Sequence, residues 1–265
     1  MTYQNKKIVI TQSHFNESSF KPLIQIGVKI IYKPFVAINL VNGEKALELD
    51  KYIKQASNGE FQWMIFSSAN GVNAVKQRIE ILGLNPTDFS GIRIAAIGKN
   101  TAEAVKKLSL PVDFIPEKEN SADFIREFTD AFANLNNAKI LFPAGNIARD
   151  TIPEKLREIG AEVVRVTAYE TIPVKYPEGE ILDLFKKQTI DAVVFASSSA
   201  VDNLMACVSE RNSKFIIPKM RAVSIGPSTS AALRSYGIEP AAEAEKPSAE
   251  GIINALILYF NNAEV

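Results

Sequence analysis

Short apolar runs of four or five residues alternate along the chain with polar turns and with stretches whose apolar positions recur at helical spacing. That is the rhythm of parallel βα units. The run Arg93 to Ile97 is followed by Gly98-Lys99-Asn100-Thr101, after which Thr101, Ala104, Val105 and Leu108 line one face of a predicted helix. The run Arg221 to Ile225 repeats this with Gly226-Pro227-Ser228-Thr229 and a helix face of Thr229, Ala232, Leu233 and Tyr236, at an offset of 128 residues from Gly98 to Gly226. A second pair of blocks, Trp63 to Val72 and Ala192 to Val201, matches at an offset of 129. In each, an apolar strand runs through a serine-rich turn into a helix. The predicted inward faces are Val72, Val75, Ile79 and Leu82 in one and Val201, Leu204, Met205 and Val208 in the other. Further on, Asn120-Ser121-Ala122-Asp123 echoes Pro247-Ser248-Ala249-Glu250 at an offset of 127.

Each half also has a head. Lys7 to Thr11, a helix to Gly27 and a strand near Ile30 match Lys139 to Phe142, a helix to Gly160 and a strand near Val163. Thr151 and Glu154 have capping-box spacing, Pro153 suits a first turn, and Gly160 suits a C-terminal cap. After each head comes a segment whose prolines favour extended chain: Pro34-Phe35-Val36-Ala37-Ile38 in the first copy, and Thr171-Ile172-Pro173-Val174 with Tyr176-Pro177-Glu178-Gly179 in the second. These read as two crossing segments. The expectation is an α/β chain made of two diverged copies of one unit, with the polar turns after equivalent strands facing each other across a substrate cleft.

Composition adds few constraints. At 265 residues the chain suits two domains of about 150 residues or less, and 46% hydrophobic with 23% charged residues is ordinary for a folded chain. Thirty basic and thirty acidic residues cancel, so no global field favours nucleic acid or an anionic membrane, and an anionic ligand must be held locally. One cysteine, Cys207, and one histidine, His14, exclude a disulfide framework and a usual zinc site. The amino-terminal residues lack the pattern of a signal peptide, and no run reaches the roughly 18 apolar residues of a membrane span. A cytoplasmic protein is expected, with His14 in a loop beside the first strand.

Neither G-x-G-x-x-G nor a phosphate-binding G-x-x-x-x-G-K-[ST] occurs, and Gly-x-Ser-x-Gly is absent too. What remains is a set of helix starts: Ser67-Ser68-Ala69-Asn70, Lys99-Asn100-Thr101, Ser197-Ser198-Ser199 and Pro227-Ser228-Thr229. Capping of the helices that follow would by itself explain these residues. The same amides and hydroxyls can also hold carboxylates or phosphates, and the carboxyl ends of parallel strands are where open α/β sheets bind ligands. Tyr169 ends the second head. It reads either as a hinge-packing aromatic or as a phenol placed to donate a proton.

Five blocks carry a wider likeness: Phe66 to Val72, Ile97 to Ala102, Phe142-Pro143-Ala144-Gly145-Asn146-Ile147-Ala148-Arg149, Ala168-Tyr169-Glu170-Thr171 and Ile225 to Thr229. In their order and spacing the chain resembles the uroporphyrinogen-III synthases over nearly its whole length. The resemblance implies two flavodoxin-like parallel-sheet lobes joined by a two-stranded β linker. One lobe is then residues 1–35 plus 174–265, the other 39–170, with 36–38 and 171–173 as linkers, so that each head folds with the other copy's tail. It further implies a lyase of tetrapyrrole and haem biosynthesis that closes hydroxymethylbilane to uroporphyrinogen III and water with inversion of ring D. Hydroxyl loss gives an azafulvene, and a spiro intermediate follows.

By the same resemblance no cofactor or metal is needed, Tyr169 assists departure of the hydroxyl, and Gly145 and Asn146 join Ser67, Ser68, Asn70, Lys99, Asn100, Thr101, Ser197, Ser198, Ser199, Pro227, Ser228 and Thr229 as substrate-binding residues. Asn70 stands where some family members carry arginine. Lys99, Arg149, Lys219 and Arg221 are candidates to pair with the substrate's eight carboxylates. A monomer is expected, in transient contact with the deaminase that precedes it, and with neither nucleic acid nor membrane as partner. The competing reading is a two-lobed binding or sensor protein without catalysis.

Overall fold

A computed structural model of the chain describes residues 3–132, 134–187 and 190–263. In chain order the elements are β1 (Lys7–Ile10), α1 (Glu17–Gln25), β2 (Lys29–Tyr32), β3 (Val36–Leu40), α2 (Gly43–Ser57), β4 (Trp63–Phe66), α3 (Ala69–Ile81), β5 (Arg93–Ala96), α4 (Lys99–Lys106), α5 (Ser121–Ala131), β6 (Lys139–Gly145), α6 (Thr151–Glu158), β7 (Glu162–Pro173), α7 (Glu178–Lys187), β8 (Ala192–Phe195), α8 (Ser198–Ala206), α9 (Glu210–Ile216), β9 (Ala222–Ser224), α10 (Pro227–Ser235), β10 (Ala242–Glu243) and α11 (Ala249–Ala263).

The chain divides into two compact units. One holds the residues up to Ala37 and those from Ile172 on; the other is Ile38–Thr171. The first unit's sheet has the order β10-β9-β8-β1-β2, with every neighbouring pair parallel. Counted by position within the unit this is 2-1-3-4-5, the flavodoxin-like order. The second unit's sheet runs β3-β7-β6-β4-β5, and a parallel bridge from Ala95 to Phe114 extends it beyond β5. Starting from β6 instead of the first strand in the chain, β7-β6-β4-β5 and the Phe114 bridge repeat the 2-1-3-4-5 order. In each unit, then, the strand of a head lies beside the strand that follows the other head: β1 pairs with β8, and β6 with β4. The chain passes between units at two points, inside β3 and inside β7, which are neighbours in sheet order.

Both faces of each sheet are covered, which is why the strands read as unbroken apolar runs. In the first unit Val9 and Val193 face one core with Phe195, Leu204 and Leu233, while Ile8, Ile10 and Val194 face another with Phe20, Leu256 and Phe260. In the second, Met64, Phe66 and Leu141 face a core with Leu49, Val75 and Val105. On the opposite face Trp63, Ile65, Ile140 and Phe142 meet Phe124, Phe128 and Leu156. The predicted inward faces of α3 and α8 are buried or half-buried throughout.

Three local expectations are corrected. Tyr236 is exposed, because α10 ends one residue earlier, and its hydroxyl donates to Asp202 at 3.2 Å. The helix at Thr151 is capped from Asp150, not by a Thr151/Glu154 box, and no side chain bonds its first-turn amides. The Asp150 carboxylate is held by Arg165 instead, Nε to Oδ1 2.6 Å, with the Nε–H not aimed at the oxygen. The extended segment after the second head stops at Pro177, since Glu178 and Gly179 open α7. His14 lies exposed in the loop after β1. Among the described residues no helix is long and apolar enough to cross a membrane.

Candidate active site

In a parallel sheet every strand delivers its carboxyl end to the same edge, so the turns after β4, β5 and β6 share one edge of the second unit, and those after β8 and β9 share one edge of the first. At the first of these edges Ser68 adopts the extended conformation of an N-cap, and its Oγ accepts the Gly71 amide at 3.2 Å. This leaves the first amides of α3, at Ala69 and Asn70, without intrahelical partners. Ser67 and Ser68 are half-buried and Asn70 is exposed. In the first unit Ser197 occupies the same position: its Oγ accepts the Ala200 amide at 3.2 Å and lies 3.1 Å from the Ser199 hydroxyl. Ser198 is exposed there.

The helix starts after β5 and β9 differ from these. Each begins at a glycine, Gly98 or Gly226, with no side-chain cap. Lys99 and Asn100 are exposed in one, Pro227 and Ser228 in the other, whereas Thr101 and Thr229 are buried, at 5% and 1% exposure. The α4 start already holds an anion from its own chain, because the Lys99 amide donates to Glu119 Oε1 at 3.0 Å. A helix N-terminus that accepts a carboxylate is the feature expected of this turn, but the carboxylate in place is twenty residues further along the chain.

The end of β6 carries the most specific geometry. Parallel pairing of β6 with β7 runs in register to Ala144 and Thr167, then skips Ala168 so that Gly145 pairs with Tyr169. The bulge re-aims the side chain that follows it. The Tyr169 ring lies directly over Gly145: a Cβ there would come within 2.7 Å of Cζ and 3.0 Å of the hydroxyl. The ring is 9% exposed, and its hydroxyl lies 3.0 Å from Ser68 Oγ. Asn146 locks the strand beyond it. Its amide donates to the Tyr169 carbonyl at 3.1 Å, and its Oδ1 accepts the Thr171 amide at 2.8 Å. On the other side Arg165 donates to the Gly145 carbonyl at 2.9 Å. Glu170, next to the tyrosine, is paired with Lys45.

Tyr169, Ser67, Ser68, Asn70, Gly145 and Asn146 therefore meet at one edge of the second unit, with Lys99 and Asn100 on the neighbouring turn. Ser197, Ser198, Ser199, Pro227 and Ser228 share the corresponding edge of the first unit. Arg149 is exposed just before α6. Lys219 and Arg221 are not with these residues. They precede β9 and lie at the amino end of its sheet, where Lys219 Nζ stacks 3.6 Å from the Phe215 ring centre and Arg221 donates to the Pro218 carbonyl at 2.9 Å. Sequence reasoning missed Glu119 and Arg165. Arg165 gave no local signal, since its partners, the Gly145 and Ala148 carbonyls and the Asp150 carboxylate, lie fifteen to twenty residues earlier in the chain.

The fold defines a protein of two flavodoxin-like α/β units, with helix starts lining the carboxyl edge of each sheet. The chain belongs to the uroporphyrinogen-III synthase family: residues 21–254 match the family model described as Uroporphyrinogen-III synthase HemD. It is 28% identical over 257 residues to the uroporphyrinogen-III synthase of Synechococcus elongatus, covering 95% of this chain and 94% of that one. With the enzyme of Chlorobaculum parvum identity is 24% over 239 residues, covering 88% and 91%. Among solved structures, a mutant uroporphyrinogen III synthase of Thermus thermophilus superposes with a TM-score of 0.66 at 17% identity, over 97% of this chain and 99% of that one. Uroporphyrinogen-III synthetase of Helicobacter pylori gives 0.64 at 20%, over 96% and 99%.

Proposed function

We propose that the protein is a uroporphyrinogen-III synthase, a lyase that closes hydroxymethylbilane to uroporphyrinogen III with inversion of ring D and release of water. The observation that carries this is the family match over residues 21–254, and it is supported by a phenol held at the carboxyl edge of a sheet beside a helix start. The substrate is a linear chain of four pyrroles bearing many carboxylates, and so an anion. The free first-turn amides of α3 and the exposed hydroxyls of Ser198 and Ser228 suit such groups without needing a basic surface, which fits a chain of zero net charge.

In the first step the pyrrole nitrogen's electron pair expels the terminal hydroxyl, which takes the Tyr169 proton and leaves as water. The azafulvene so formed is attacked by the substituted carbon of ring D, giving a spiro intermediate. This fragments and recloses at the other ring position, and the proton lost as the pyrrole regains aromaticity restores the phenol. A phenol within hydrogen-bonding reach of the departing oxygen would serve as general acid, and the orientation of a flexible bilane supplies the rest of the advantage over the uncatalysed path.

The test is product identity. Purified protein given freshly made hydroxymethylbilane is expected to yield isomer III. Formation of isomer I alone, as in a blank, overturns the assignment.

A further inference from the structure

Ser68 and Ser197 are the same capping residue in two matched turns, yet their hydroxyls have different partners. Ser197 turns to Ser199, at 3.1 Å. Ser68 turns to Tyr169, at 3.0 Å across 101 residues of chain. We infer that Ser68 is a positioning residue for the acid step: it donates its only proton to the Tyr169 oxygen and so couples the charge that develops there to the amino terminus of α3. The inference rests on the assignment of Tyr169 as the acid in the proposed reaction.

A serine hydroxyl has one proton and two acceptor sites. One acceptor site takes the Gly71 amide, at 3.2 Å. For Tyr169 to hand its proton to the departing hydroxyl, the phenol O–H must point at the substrate. The 3.0 Å contact is then a hydrogen bond from Ser68 to Tyr169. As the proton leaves, negative charge appears on the phenol oxygen, and the Ser68 O–H already faces it. Because Oγ is itself accepting an amide at the positive end of a helix, its O–H is polarised towards stronger donation. Such a fixed donor at developing charge needs no reorganisation during the reaction. Gly145 completes the arrangement by letting the ring lie flat against the strand end, where a Cβ would displace it. Phenol and donor are thus fixed from two directions, by the bulge in β7 and by the cap of α3.

The two roles of Ser68, cap and donor, are separable. Glycine is almost as good an N-cap as serine but has no hydroxyl, while threonine keeps both. With the full chain and hydroxymethylbilane, S68G is expected to lower kcat about tenfold to hundredfold with KM little changed and the melting curve preserved. S68T is expected to recover most of that loss. In a Y169F background S68G is expected to cost nothing more, since the group it serves is gone. A rise in KM at constant kcat would make Ser68 a substrate ligand instead, and effects of S68G and Y169F that multiply independently would likewise overturn the coupling. A second readout needs no turnover. With tyrosine labelled at Cζ, S68G is expected to shift the Tyr169 resonance, assigned by its absence in Y169F. An unmoved resonance overturns the hydrogen bond whatever the protein makes. Isomer I alone from the unaltered chain overturns the functional reading and the catalytic part of this inference together, while the resonance still decides the contact.

Discussion

At the scale of single residues, Gly145 has no room for a side chain. Its missing side chain is where the Tyr169 ring lies, and a Cβ would approach Cζ to 2.7 Å and Cε2 to 2.8 Å. G145A must therefore rotate the ring or reopen the bulge. The expected cost is about 1 to 3 kcal/mol of stability, as for other overpacked sites, and a fall in kcat of about tenfold or more, since a catalytic group misplaced by an ångström loses much of its effect. Full activity with an unshifted melting temperature would show that the ring does not lie there. Asn146 acts through a lost bond and not through crowding. Its side chain is spent on the Thr171 backbone, so N146A should lower stability by about 1 kcal/mol, the worth of a typical hydrogen bond, and should change rate through the strand and not through KM. The capping serines were readable because a cap is local: Ser68 reaches Gly71 and Ser197 reaches Ala200, three residues on in each case. The Ser68 contact with Tyr169 was not, because it depends on a bulge that no spacing announces.

At the scale of elements, a carboxylate at the start of α7 ties down the start of α9. Glu178 accepts from the Ser209 amide at the cap of α9 and from the Asn212 side chain at 2.9 Å, and hydrogen bonding by the Ser209 hydroxyl above all, then by Asn212 and the Ser209 amide, pulls its pKa from an ordinary 4.5 down to about 2. A carboxyl group with a folded value below its unfolded one stabilises the fold above the unfolded value, and loses that contribution as the pH falls through the folded one. The stabilising effect of Glu178 should therefore be complete above about pH 5 and fade between pH 4.5 and about 2. Urea denaturation across this range is the measurement. E178Q should be less stable than the parent at neutral pH, and the gap should close as pH approaches 2; a gap independent of pH would remove the carboxylate from the account. Element identity was largely legible, because strands buried on both faces and helices with one apolar face leave periodic traces. The exceptions are where ends are decided by distant groups: Arg165 takes Asp150, Glu119 takes the start of α4, and α10 stops before its last predicted inward residue.

At the scale of the whole molecule, chain order and spatial order disagree, and the disagreement can be tested by cutting the chain. β1 lies between β8 and β2, and its Ile8, Val9 and Ile10 are fully buried. Residues 174–265 alone would keep β8, β9 and β10 but lose the strand beside β8 and the helix α1 that packs on α11, leaving an apolar edge open. Residues 36–173, by contrast, carry every strand of the second sheet and both of its cores, which is the requirement for a domain that folds by itself. The sequence repeats announced two copies, but repeats alone are equally compatible with two units laid end to end. Only the pairing of β1 with β8 and of β6 with β4 distinguishes the interleaved arrangement. The 36–173 fragment is expected to melt cooperatively and to give a dispersed amide spectrum. The 174–265 fragment is expected to do neither until a peptide of residues 1–35 is added, whereupon both features should appear at a one-to-one ratio. Independent folding of 174–265 would mean that β1 is dispensable to the sheet it centres, and the interleaved topology would have to be given up.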